Sequence, residues 1–408
     1  MLIIECPNLS PMVKPSAYVL GLFDTGLGVV RSLARKGVRV LGFDSDVANC
    51  GFHSRHAQSQ VCPDPTHEPD RLIEFLSRAA AREPVPPILF PTSDAFVLFL
   101  SRRRDELGRW SRFVLPERDV VEDVVDKRRQ YARAAGIGIP LPRTHSIRGL
   151  DELAGIADEL DYPVIVKPVL GHVWREQYRD VKCVQVESRN DLTALYREIV
   201  QAGQEVLIQS IILGPNSNLA MVCAYMGEDN EPVAVICMRK IRQYPMDFGV
   251  GTLVESVRDP KLEELGLRFF QELGWRGPGE VEFKKDARDG CWKLIELNPR
   301  LWQQSGLADA CGLNFPWIQY ELHCGRRPEL KPYREGVRWV NEFYDPRSAW
   351  SHHRQGRLSL GAYVQSLRKI EDRALFAFDD PGPFIYSLWR QAAALWRKLF
   401  RSLLRPSR

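Results

Sequence analysis

Nowhere in the 408 residues do eighteen apolar residues run together, so no segment has the makings of a membrane-spanning helix. No basic region followed by an apolar run opens the chain. Asp24 interrupts the short AYVLGLF stretch, and no secretory signal is expected. The nine cysteines are odd in number and contain no CxxC pair. That argues against a disulfide framework or a zinc site, and a reducing cytoplasm is the simpler expectation. Neither a Ser-His-Asp order nor an activated cysteine is evident. GxGxxG is missing too, although GLFDTGLG and the downstream Asp44 invite comparison with a dinucleotide fingerprint. An NAD-dependent oxidoreductase is therefore a secondary reading, beside a plain packing turn. Ordinary composition, 44% hydrophobic and 26% charged with 29 Gly and 28 Pro, excludes wholesale disorder, collagen and a coiled coil. The last 28 residues lack any acid yet carry six Lys/Arg, within a net charge of +4. The body is thus close to neutral and gives no reason to expect nucleic acid.

What is present reads as an α/β unit followed by an α+β unit. Ala17–Leu22, then Gly26 and Gly28 with the helical pattern Val29, Val30, Leu33, Ala34, then Val38–Phe43, make one βαβ. Ile88–Phe90 leads into a capped helix over Ala95–Arg103, and Arg112–Leu115 reads as another strand. These define a Rossmann-like domain over residues 1–120 with a parallel sheet. A second domain, 121–330, opens with a helix over Asp126–Ala135 that GIGIPLPRT breaks. Its strands are Val164–Lys167, Cys183–Val186, Val206–Gln209, Leu219–Tyr225, Val233–Met238, Gly279–Lys284 and Trp292–Leu297, with helices Asp151–Leu160, Asn190–Gln201 and Pro260–Leu273 between them. From 331 to 380 the pattern loosens into an extension, and 381–408 is a basic helix.

The strongest chemical signal is GEVEFKKDARDGCWKLIELNPR. Two alternating strands joined by DARDG form a hairpin. Glu282 on the first strand and Glu296 with Asn298 on the second can then share a face. Two carboxylates and an amide oxygen are hard ligands suited to Mg²⁺, and Arg300 could hold an anion beside them. A solvated sheet face is the plain alternative, but Leu294, Ile295 and Leu297 point to burial. Lys167 stands inside the apolar VIVKP, where a lysine costs free energy unless something negative meets it; snorkelling at a strand end competes with that reading.

Taken in order, DK…GIPLPRT, VIVKP, IQSIILGP, MRKIRQYP and EVEFKKD…IELNPR resemble the ATP-grasp superfamily of carboxylate ligases, from about residue 17 to 325. LFPTSDAFVLFLSRRRDEL is similar to the amino-acid and carboxylate-amine ligase subgroup that includes D-aspartate ligase. The resemblance implies an ATP-grasp fold whose two lobes enclose the nucleotide, with a hinge near 206–214. It implies ATP and Mg²⁺ (Mn²⁺ as an alternative), a carboxylate activated as acyl phosphate and an amine acceptor. By its motifs Lys127 and Lys167 contact the phosphates. Gln209 and Ile212 meet adenine, and Arg239 or Lys240 adds a cation, the spacing leaving the choice open. Glu282, Glu296 and Asn298 hold metal, while Arg300 steadies the acyl phosphate.

One departure stands out. The glycine-rich loop expected after VKP is VLGHVWREQYRDVKC, with Gly171 alone. Arg175, Arg179 and Lys182 stand there instead, to cover the phosphates or as an ordinary basic loop; His172 is a candidate acceptor base against a structural role. The missing glycines also keep open a nucleotide-binding scaffold without catalysis. A homodimer is a further expectation, though no interface is readable. In the tail, Ile385, Leu388, Trp389, Ala392, Trp396, Leu399 and Leu403 fall on one helical stripe, opposite Arg390, Arg397, Lys398 and Arg401. That pattern fits a helix docked on protein, or one lying on an anionic inner membrane face.

Overall fold

The computed structural model describes residues 13–171, 174 and 182–403, without the side chains of 395 and 397–403. Four strands, β1 (Ala17–Leu20), β2 (Val40–Asp44), β3 (Gln58–Val61) and β4 (Ile88–Pro91), form an all-parallel sheet in the order β3-β2-β1-β4. The turn after β1 is tight because Gly26 rests on the Gly21 carbonyl, where a Cβ would sit 2.0 Å from the oxygen. Asp44 serves that same turn. Its Oδ2 accepts from the Leu22 N–H at 2.5 Å and from Asn49 at 2.8 Å, while Oδ1 accepts from the Asp46 N–H. The glycines and Asp44 therefore do structural work, the plainer of the two readings of GLFDTGLG. Arg112–Leu115 is not a strand; it contributes a single bridge, Ile88 to Arg112.

A small antiparallel sheet follows, built from β5 (Thr144–Ser146), β6 (Val164–Pro168), β7 (Val184–Val186) and β8 (Val206–Ser210) in the order β5-β8-β6-β7. All five residues of β6 are buried, as a run rich in β-branched residues favours. The larger sheet contains β9 (Leu219–Met226), β10 (Pro232–Tyr244), β11 (Val250–Val257), β12 (Gly277–Lys285), β13 (Trp292–Asn298), β14 (Arg338–Val340) and β15 (Ile370–Arg373), ordered β13-β12-β9-β10-β11-β14-β15. One face packs on helix Pro260–Glu272, which buries Leu262, Gly266, Phe269 and Phe270 at helical spacing. Each of those large side chains contributes roughly 1.5–3 kcal/mol on burial. The other face carries Met221, Cys223, Tyr225, Ile236 and Met238 into one core with Ala17, Val19 and Leu27 of the first domain. The parallel domain and the large lobe are thus welded together.

The extension read at 331–380 is instead part of the large lobe. It supplies β14 and β15, and its helix Asp345–Arg354 is tied in by a fully buried ion pair. Asp345 accepts from Arg242 on β10 at 2.9 and 2.7 Å and from Thr252 on β11 at 3.0 Å. Such a fork satisfies both buried charges at once.

Candidate active site

The hairpin is formed as its turn residues require, and its register sets Glu282 directly opposite Glu296 and Glu280 opposite Asn298. Asp286 at the turn takes Arg288 at 2.7 Å and Lys293 at 2.8 Å, so the Arg288 contact, with help from Lys293, holds its carboxyl well below the usual range. The same turn reaches the connection between lobes. Arg288 donates to the Ile211 carbonyl at 3.1 Å, and the Ala287 N–H donates to Leu213 at 3.0 Å. Neither bond uses the backbone of Ile212, which lies buried between them.

Helix Lys127–Ile137 starts at Asp126, whose carboxylate caps the N–H groups of Arg128 and Arg129 at 2.9 and 3.3 Å. That start fixes Lys127, whose Nζ donates to Glu296 at 2.7 Å across 169 residues of sequence. One turn on, Tyr131 accepts from Lys167 and donates to the Ile295 carbonyl at 2.5 Å. Gln130 clamps the neighbouring Leu297, donating to its carbonyl and accepting from its N–H, both at 3.0 Å. Helix and hairpin therefore hold one another in register at the C-terminal end of β13.

On β10 the alternation of the strand separates the two candidates. Lys240 is buried and donates to Glu282 at 2.5 Å. Arg239 projects from the other face and pairs with Glu255 at 2.9 Å, alongside Arg338. The structure brings Lys240 to the site and leaves Arg239 out of it. Lys182, just before β7, is exposed yet close enough to Glu296 and Glu282 for their charges to act on it. Gln209 does not stand in the open cleft: it is buried in the small lobe, donating to Thr144 at 2.7 Å beside Tyr131. His172, Arg175 and Arg179 lie outside the described residues.

The electrostatics follow from crowding. Burial, reinforced by Lys127, pushes Lys167 down to about 7. Lys127 is the main cause holding the Glu296 carboxyl far below its ordinary range, with Lys182 and Lys167 adding to it. Two further groups are not singled out by the sequence motifs. Glu280 is buried, and desolvation with the nearby Glu282 raises it to about 7; alternation from Glu282 along GEVEF is the signal that could have found it. Its Oε1 accepts from the Asn298 side-chain N–H at 2.9 Å. The second is Asp94, at the start of helix Asp94–Arg102, which binds Arg300 at 2.8 Å and brings the parallel domain to the cleft.

Five cations, Lys127, Lys167, Lys182, Lys240 and Arg300, thus gather around Glu280, Glu282 and Glu296. Asp94 on Arg300 makes a fourth carboxyl, so the surplus is one positive charge, of the sign that suits an anionic Mg-ATP. Among the described residues no three His, Cys, Asp or Glu stand together as a ready metal cage. Two carboxylates plus an amide suit Mg²⁺ nonetheless, because it keeps waters and takes phosphate oxygens as further ligands.

No protein-family model matches the chain. It is 25% identical over 243 residues to D-aspartate ligase of Enterococcus faecium (strain Aus0004), covering 56% of each chain. It is 24% identical over 203 residues to D-alanine–D-alanine ligase of Pseudomonas entomophila (strain L48), covering 47% of this chain and 61% of that one. The match spans little more than half the length of these curated relatives. Among solved structures, L-amino acid ligase from Bacillus licheniformis superposes with a TM-score of 0.58 at 16% identity, over 75% of this chain and 73% of that one. The chain has the ATP-grasp fold, and its sequence relatives are carboxylate–amine ligases of that superfamily.

Proposed function

We propose that the protein is an ATP- and Mg²⁺-dependent ligase that activates a carboxylate as its acyl phosphate and passes the acyl group to an amine. The observation that carries this reading is the cluster of Lys127, Lys167, Lys182 and Lys240 on Glu282 and Glu296, with Arg300 at its edge. A carboxylate is a poor acyl donor because oxide would have to leave. Its oxygen attacks the γ-phosphorus instead, the bond to the β-bridging oxygen breaks, and ADP departs. The amine nitrogen then attacks the acyl carbon, the C–O bond to phosphorus breaks, and phosphate leaves while the nitrogen gives up a proton. No covalent protein nucleophile is required; positioned cations stabilise the developing charge. Glu282, Glu296 and the Asn298 oxygen would hold Mg²⁺, which neutralises and aligns the phosphates. Lys127 and Lys167 hold the phosphates, Ile212 meets adenine through its backbone, and Arg300, oriented by Asp94, steadies the acyl phosphate. The substrate pair is an amino acid or envelope-precursor type of carboxylate and amine. The test is release of ADP and phosphate that requires both a carboxylate and an amine; ATP binding without turnover across a broad panel would favour a scaffold.

We propose as well that the last helix rests on an anionic lipid surface. Among the described residues no helix is long and apolar enough to cross a membrane. Helix Gly382–Leu403 docks through Phe384 on Phe343 and through Tyr386, stacked on His53 at 3.7 Å, while Arg390 reaches the Ala48 carbonyl. The apolar stripe points the other way: Ile385, Leu388, Trp389 and Trp396 are 59%, 52%, 65% and 69% exposed. An outward apolar face with two tryptophans, in a segment rich in cations and without acid, suits an anionic bilayer. The full chain is expected to sediment with phosphatidylserine vesicles, less so at high salt, and a chain ending at Asp380 to stay in solution. Equal behaviour of the two, or a helix-dependent dimer in place of vesicle binding, would overturn this.

A further inference from the structure

A second pocket, of about 300 Å³, lies between helix Asp24–Arg35, helix Ser305–Ala310 and β15, and none of the lysine–glutamate cluster lines it. Asp24, Asp309 and Asp372 line it, and none of the three has an ion-pair partner among the described residues. The other charges of the lining are largely committed. Arg31 takes Asp380 at 2.9 Å, Arg35 takes Asp379 at 2.7 Å, and Glu371 takes Arg334 at 2.6 Å. Arg373 is left, exposed, while Lys36 and Arg35 act on Asp309 from a distance. Three carboxyls thus face one uncommitted arginine, and the acids outnumber the bases.

These acids are not a metal cage, since no three such groups converge among the described residues. They come from three separate elements, helix Asp24–Arg35, helix Ser305–Ala310 and β15, which suits an organic cation with more than one ammonium better than a single ion. Burial raises Asp24 to about 6 and Asp372 to about 7, so both gain from a cation. Asp372 reaches the pocket across the bare Cα of Gly306, where a Cβ would lie 2.2 Å from its Oδ2. Independently, the Ser305 hydroxyl lines the same pocket, buried and without a hydrogen-bond partner. Leaving it so is costly, and a ligand N–H would satisfy it. Asp24 also accepts from Gln303 at 2.7 Å, three residues beyond Arg300, so an occupant is linked to the catalytic cleft.

We propose that this pocket binds a small diamine or polyamine, its ammonium groups on Asp24 and Asp372 and an N–H on Ser305. The binding claim stands apart from the ligase reading and survives its failure. Calorimetric titration of the full chain without nucleotide should show saturable binding of 1,4-diaminobutane and at least about tenfold weaker binding of butylamine. Asp372→Asn and Ser305→Ala should each weaken the diamine, about tenfold or more for the former, with nucleotide affinity unchanged as the sign of an intact fold. Absence of diamine binding to the wild type, equal affinity for the monoamine, or an Asp372→Asn variant that binds like wild type would overturn the proposal. Mass analysis of turnover mixtures separates the two sources of such a ligand: an amine found in the product is the acceptor, and one that only alters the rate is an effector.

Discussion

Replacing Glu296 by alanine is expected to lower ADP release on the order of 10²–10³-fold, the usual cost of losing one group that stabilises transferring charge, with the protein still folded. Glu296 is about one-fifth exposed at the end of β13, so it contributes little packing. Its loss removes a proposed metal ligand and also the partner of Lys127, leaving Lys127, Lys167 and Lys182 with less acid between them. Nucleotide affinity measured without Mg²⁺ should therefore hold or tighten as turnover collapses. That opposition of signs distinguishes a metal ligand from a structural ion pair, whose loss would move stability and leave the metal dependence alone. Turnover within about tenfold of wild type would remove Glu296 from the metal site.

Lys167→Met is expected to cut activity by a similar factor while making the nucleotide-free protein more stable. The ammonium is buried against Tyr131, and the phenol and the Ile295 carbonyl accept from it. In the unfolded chain a lysine titrates near about 10.4, and in the folded protein at about 7. Between those values the unfolded state binds more protons, so wild-type stability rises with pH across this window. The methionine variant lacks that slope, which denaturant titrations at pH 7 and pH 9 would show. A polyphosphate restores the charged form, so nucleotide binding at pH 8 should take up close to one proton in the wild type and less in the variant. Titrations in buffers of different ionisation enthalpy measure that uptake. No difference between the two proteins would detach Lys167 from the phosphates.

Chemistry written in short segments is legible in the amino-acid sequence itself. Glu282 and Glu296 are joined by a turn whose residues announce a hairpin, and Lys167 is conspicuous because its strand is otherwise apolar. Choices that depend on long-range register are not legible there. Lys240 and Arg239 are adjacent, and only pairing of β10 with β9 and β11 decides which one faces Glu282. β11, buried nearly throughout, has no alternation to mark it, and the short β14 and β15 make sense only as additions to an existing sheet. Gln209 is assigned to adenine by the resemblance alone, yet in the folded chain it is buried and donates to Thr144. The second pocket is assembled from segments near 24–35, 303–310 and 371–377, which no local pattern connects.

Isotope transfer tests the acyl-phosphate route most directly. With a carboxylate substrate labelled with ¹⁸O in both oxygens, Mg-ATP and an amine, the account predicts ADP as the nucleotide product and one ¹⁸O in the inorganic phosphate for each amide formed. Label confined to the amide product, or release of AMP and pyrophosphate, would contradict it.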